Sequence, residues 1–188
     1  MSTRPQHQPR LSEAEYFALE ESSPIKHEYL DGEVFALTGA TQRHNAIATN
    51  ILVELALAAR GKGCQARGSD QRLRIQTGER VVYYYPDIQL VCDRTDDNPN
   101  FVTRPCVIVE IESDSTVEID HREKLLAYRG LDSVQAYLIV SQSEWRIVRH
   151  FRDAEGAWWR ADQVGSGTIP IPYINAQLDL DAVYADVF

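Results

Sequence analysis

The sequence predicts a mixed α/β fold in which a central β-sheet carries helices on its faces, preceded by a helix and a hairpin. Three observations carry this expectation. Residues 43–60, RHNAIATNILVELALAAR, repeat Ile47, Ile51 and Leu55 at helical spacing, with Asn50, Glu54 and Ala58 around the same face, and stop at Gly61. The segments RVVYYYPDIQLVCD and PCVIVEIES hold continuous apolar runs, which suit central strands buried on both sides. Beyond them IDHREKLLAYRGL reads as a helix and AYLIVSQ as a strand; a strand, a crossover helix and another strand imply a mixed sheet with helices packed on it.

Taken in order, residues 1–10, MSTRPQHQPR, lack the apolar core of a signal peptide and read as a flexible tail, which leaves 11–188 as one domain. In LSEAEYFALEES, Ser12 followed three positions later by Glu15 is the capping-box pattern, so a short helix is predicted, ending before Pro24. KHEYLDGEVFALTGA has strand character on both sides of the turn dipeptide Asp31-Gly32, and its second strand begins at Glu33. After the long helix, CQARGSDQRLRIQ is the first core strand. Pro86 has no N–H for a ladder, so Tyr85-Pro86-Asp87 marks an edge, a bulge or a strand start. Asp120 with Glu123 offers a second capping box for the crossover helix. WRIVRHFRD and AWWRADQV are further strands, the latter at an edge, and GSGTIPIPYINAQLDLDAVYADVF reads as a Gly/Pro-rich loop ending in a short helix.

Composition narrows the function classes. A hydrophobic share of 44% and a charged share of 25% belong to an ordinary globular chain. Cys64, Cys92 and Cys106 are scattered, odd in number and without CxxC spacing, so neither a disulfide framework nor a zinc site is expected, and a reducing, cytoplasmic setting is. No apolar run approaches the roughly 18 residues of a membrane span. The net charge of -9 argues against broad, non-specific attraction to nucleic acid. Locally the balance differs: Arg60, Lys62, Arg67, Arg72, Arg74 and Arg80 stand among only Asp70 and Glu79, and Arg146, Arg149 and Arg152 form a second cluster. These are either solvated sheet faces or footholds for a polyanion.

Chemistry concentrates at residues 107–116, VIVEIESDST. Strand alternation puts Glu110 and Glu112 on one face, with Asp114 just beyond. If the strands carrying Asp87 and Glu110 are neighbours, their carboxylates converge, and without compensation one would have to stay protonated. A divalent cation removes that difficulty, and hard oxygen ligands suit Mg²⁺ or Mn²⁺. Lys124, on the crossover helix, is placed to orient an attacking water or to stabilise charge during phosphodiester cleavage; its plain alternative is an exposed lysine pairing with Asp120. Glu33, after the hairpin turn, would add a carboxylate or be solvated. His44 would line the cleft or cap the long helix, Asp70 would approach from the first core strand, and Glu112 is either an extra ligand or a solvated strand end.

YPDIQLVCD followed by PCVIVEIESDSTVEIDHREKLLAYRGLDSVQAYLIV, together with KHEYLDGEVFALTGATQRHNAIATNIL, resembles a large family of bacterial restriction endonucleases, common in cyanobacteria, within the PD-(D/E)xK nuclease superfamily. The resemblance runs from about residue 12 to the C-terminus. It implies a restriction-endonuclease-like core of helix, three strands, helix and strand, with Mg²⁺ held by Asp87 of the PD motif and by Glu110 as the acid of (D/E)xK. The lysine two positions after that acid is replaced by Glu112; the family's usual form, Glu-Val-x-Ser-Pro-Ser, carries its lysine on the following helix, which Lys124 matches. Glu112 stands where an uncharged residue is usual, and Asp114 replaces the proline. The expectation is a Mg²⁺-dependent endodeoxyribonuclease with DNA as substrate, for which a homodimer would suit so small a chain, and with neither membrane nor small-molecule cofactor. The competing reading rests on the acidic balance, the displaced lysine and Glu112: a catalytically weak or inactive nuclease-fold module that binds nucleic acid or protein.

Overall fold

The computed structural model describes residues 10–112 and 119–188, and only the backbone at 119–121. Most of the expected tail, Asp114 and the side chain of Asp120 lie outside the described residues. Ser12 caps α1 (Glu13–Ser22): its hydroxyl accepts the Glu15 N–H while the Glu15 carboxylate accepts the Ser12 N–H at 2.7 Å. The hairpin of β1 (His27–Leu30) and β2 (Glu33–Ala36) turns at Asp31 and Gly32, whose φ angles of 52° and 100° are both positive, as the tight hairpin turn requires. A Cβ at Gly32 would also lie 2.7 Å from the Arg10 side chain. Thr41 caps α2 (Gln42–Ala59), which buries Ile47, Ile51, Leu55 and Ala59.

Where one strand was expected there are two, β3 (Gln65–Gly68) and β4 (Arg72–Thr77), separated by a turn at Ser69-Asp70. β5 (Arg80–Tyr84) and β6 (Ile88–Val91) are likewise separate, and Tyr85-Pro86-Asp87 is where the chain leaves one sheet for another. The short β7 (Phe101–Val102), unforeseen, precedes β8 (Val107–Ile111), α3 (Ile119–Arg129), β9 (Ala136–Val140), β10 (Arg146–Arg152) and β11 (Trp158–Val164). The C-terminal stretch expected to be a loop forms a second hairpin, β12 (Thr168–Ile171) with β13 (Ala176–Asp179), before the short α4 (Leu180–Val183). Its strand pattern is masked by Pro170, which is tolerated because it points outward from a two-stranded sheet while Ile169 and Ile171 are buried.

Contacts divide the chain into two compact units. The smaller comprises the chain up to Gly39 and Arg74–Tyr84; its strands run in the order β2-β1-β5-β4, and Tyr16 of α1 packs on Tyr29 and Tyr83 with ring centroids 5.1 and 5.3 Å apart. The larger comprises Ala40–Leu73 and Tyr85–Phe188. Its six-stranded sheet has the order β11-β10-β9-β8-β6-β3, with β8 and β9 parallel and the remaining pairs antiparallel. The parallel pair requires a crossover, and α3 supplies it.

One face of this sheet, with Leu90, Val107, Val109 and Leu138, packs against Ile47, Ile51 and Leu55 of α2, and Ile171, Leu178 and Val183 of the C-terminal hairpin and helix close the same core. On the opposite face Tyr128 of α3 meets Tyr137 of β9 edge-on at 5.1 Å. β6, β8 and β9 are therefore buried throughout, which is why they read as unbroken apolar runs. The succession α2, β3, β6, β8, α3, β9 is the helix, three-strand, helix, strand core, with β4, β5 and β7 inserted.

The cysteine expectation is corrected. Cys64 and Cys92 form a disulfide, because antiparallel β3 and β6 pair Gln65 with Val91 and so bring residues 28 apart in sequence side by side. Cys106 is a buried free thiol, its Sγ 3.4 Å from that of Cys92 and its pKa pushed up to about 12 by burial. A closed loop of this length is worth roughly 3 to 4 kcal/mol. Cys64→Ser with Cys92→Ser should lower the urea-unfolding stability by about that amount, and reductant should do the same to the unaltered chain and nothing to the variant; equal stability of all forms would refute the contribution.

Candidate active site

The site is built at one end of the larger unit's sheet. β6 and β8 pair Ile88 with Val109, so Asp87, the residue just before β6, lies beside the end of β8 that carries Glu110 and Ile111. Pro86 offers no ladder donor at this point, and the Asp87 side chain substitutes for the ladder, its Oδ2 accepting the Ile111 N–H at 2.8 Å. Asp87 is thereby held by the strand that carries its partner acid.

Each carboxylate has a basic neighbour. His44 Nε2 lies 3.2 Å from Asp87 Oδ2, and Lys124 Nζ lies 3.6 Å from Glu110 Oε1. The hydrogen bond to Asp87 raises the His44 pKa against the opposing effect of burial, and the charges of Asp87 and Glu110 add to the rise. Glu110 and Lys124 are both 8% exposed, so each charge is largely out of water and each is stabilised by the other.

Helix ends and phases deliver these groups. His44 sits in the first turn of α2, its N–H received by the Thr41 cap; Thr41 Oγ1 donates to Gln142 Oε1 at 2.8 Å and Arg43 Nη1 to the Gln142 carbonyl at 3.2 Å. The start of α2 is thus tied to the end of β9. On α3, Lys124 and Tyr128 are one turn apart and face the same way, and the fully buried Tyr128 donates its hydroxyl to Glu110 Oε1 at 2.7 Å. Tyr128 was missed in the sequence, where it reads as a core aromatic; its position four residues after Lys124 was the available signal.

Glu112, just past β8, stands close enough to Arg146 and Tyr184 that its charge raises the pKa of both, along with other contributions. Asp70 is exposed in the turn after β3, at the same end of the sheet as Asp87, since Gly68 pairs with Ile88. Glu33 is exposed at the start of β2 in the smaller unit. The arginines of the second basic cluster have intramolecular work: Arg146 meets Glu144 and Asp162, Arg149 covers the Phe151 ring, and Arg152 donates to the Arg129 and Leu131 carbonyls.

Among the described residues no group of three or more His, Cys, Asp and Glu side chains forms a ready metal cage. A pair of carboxylates is nonetheless the donor set Mg²⁺ or Mn²⁺ accepts, because these ions use one or two protein carboxylates and keep several waters. Asp87 and Glu110 fit such an ion. Among the described residues no helix is long and apolar enough to cross a membrane.

The mixed sheet between α2 and α3 belongs to a fold already seen, for the chain superposes on a solved structure from Anabaena variabilis described as "a putative nuclease belonging to DUF820", with a TM-score of 0.70, 14% identity and coverage of 88% of this chain and 93% of that one. The chain belongs to the Uma2 family, described as "Putative restriction endonuclease", whose model matches residues 13–181. Two proteins of Synechocystis, both described as uncharacterized, are each 30% identical to it: one over 177 residues, covering 94% of this chain and 92% of the other, and one over 158 residues, covering 82% and 88%.

Proposed function

We propose that this protein is a metal-dependent endonuclease that hydrolyses DNA phosphodiester bonds by attack of an activated water. The observation that carries the reading is the Asp87 carboxylate held on the N–H of Ile111, the residue next to Glu110, with Lys124 Nζ 3.6 Å from Glu110 Oε1. Asp87 and Glu110 would hold Mg²⁺ or Mn²⁺, which when bound supplies Lewis-acid stabilisation of phosphoryl charge and acidifies a coordinated water.

The chain's own groups do the rest. The Ile111 N–H and His44 hold the Asp87 carboxylate in place, so it need not reorganise when the cation arrives. Lys124 Nζ, beside Glu110, carries a positive charge to the place where negative charge grows on the phosphate, and its remaining N–H donors can orient the attacking water. A DNA substrate goes with action in the cytoplasm; cysteine usage no longer supports that location, since two of the three cysteines are paired. Cutting both strands of a duplex would be served by a C2 homodimer.

Purified protein should cut supercoiled plasmid in Mn²⁺ or Mg²⁺ and not in EDTA, and Asp87→Asn should abolish the cleavage. A protein that cuts no plasmid, linear or single-stranded DNA under these conditions is not this enzyme, and one that cuts equally well as Asp87→Asn does so with another site.

A further inference from the structure

We infer that Tyr128 is a positioning residue for the metal-binding carboxylate of Glu110, an assignment that rests on the nuclease reading. The phenol is fully buried and donates to Glu110 Oε1 at 2.7 Å, and the same oxygen is the one 3.6 Å from Lys124 Nζ. Two donors from one helix, one turn apart, thus converge on a single carboxylate oxygen. This fixes the rotation of the carboxyl group about its last bond, a broad and soft torsion when nothing holds it.

The ring is itself held. It packs edge-on against Tyr137, whose ring stacks on His150 with centroids 6.2 Å apart, so the hydroxyl's direction is set by the sheet rather than by a mobile side chain. The chain from β8 to α3 crosses residues 113–118, and a hydrogen bond from Tyr128 to Glu110 ties the helix back to the strand on the side where Lys124 must lie. A phenol suits this role better than a second cation. It orients the carboxylate without cancelling its charge, leaving the charge to attract a divalent ion.

Residues that orient a metal ligand are typically worth ten- to a hundredfold in metal affinity. Tyr128→Phe retains the ring and removes only the donor. Calorimetry with Mn²⁺ should show the affinity of Tyr128→Phe reduced by at least about tenfold. Excess Mn²⁺ should restore kcat, with KM for DNA unchanged, a pattern that general damage to the fold would not produce. Metal-free unfolding of the unaltered chain, Tyr128→Phe, Glu110→Ala and the double variant should show a coupling of about tenfold in the folding constant, as expected of a hydrogen bond to a charged group. Unaltered Mn²⁺ affinity in Tyr128→Phe overturns the inference even if the coupling is found, and absence of the coupling overturns the contact on which it stands. If the unaltered chain binds no Mn²⁺, the nuclease reading fails first and this assignment falls with it.

Discussion

Glu110→Gln should abolish saturable Mn²⁺ binding in calorimetry and lower plasmid cleavage by at least about a thousandfold. The amide is nearly the size of the carboxylate, so the sheet is left intact, but one of the two hard anionic ligands is gone, and Mg²⁺ or Mn²⁺ has few protein ligands to lose. The change also leaves Lys124 Nζ, now 3.6 Å from a neutral group and 8% exposed, without that counter-charge. Melting measured in EDTA separates this loss of stability from the loss of ligation. Saturable Mn²⁺ binding by Glu110→Gln at the unaltered affinity would remove Glu110 from the metal site.

The second large effect is expected at Lys124. Lys124→Met keeps the length and the packing of the side chain but removes its charge, so Glu110 becomes a stronger attractor of a divalent cation and Mn²⁺ should bind at least as tightly as before. The rate should nevertheless fall by about a hundred- to a thousandfold, the usual loss when a group aimed at developing negative charge is removed. Without metal, a buried carboxylate that has lost this neighbouring cation should destabilise the fold by up to about 3 kcal/mol. Mn²⁺ should recover that stability by binding the folded state, without recovering the rate. A variant with full activity would return Lys124 to the ordinary role of an ion-pair partner.

These opposite metal responses follow from the two residues' contacts, and those contacts were legible to different degrees. Glu110 stands out because a charge at the end of VIVEI is costly in a buried strand unless something compensates it. Lys124 was found through its fit to a family pattern and the phase of its helix; only its distance to Glu110 separates it from any exposed helical lysine. His44 was visible as the start of a helix, yet its approach to Asp87 depends on the Thr41 and Gln142 bond that sets where the helix begins. Tyr128 carried one mark only, its place one helical turn after Lys124, which does not by itself tell a structural aromatic from one whose hydroxyl meets a carboxylate.

Glu112 shows the limit of alternation as an argument. Period-2 spacing puts it on the face of Glu110, and its N–H still donates to the Val140 carbonyl beyond β8, but only the tertiary structure brings it close to Arg146 and Tyr184. The cysteines show the same limit from the other side. Spacing of 28 residues says nothing about proximity until β3 and β6 are paired.

By itself the sequence determined the elements whose cause is local: the capping box at Ser12 and Glu15, the Asp31-Gly32 hairpin turn, the apolar stripe of α2 and the unbroken runs of β6, β8 and β9. It also marked Pro86 as a break, since a missing N–H is a property of the residue. The tertiary structure alone decided that the break is a change of sheet, that Cys64 meets Cys92, that Pro170 lies in a hairpin, and that Asp87, Glu110, Lys124, Tyr128 and His44 gather at one sheet end. The physical reason is that strand pairing and helix packing join residues by register and phase across long stretches of chain, and neither quantity is carried by any short stretch of the sequence.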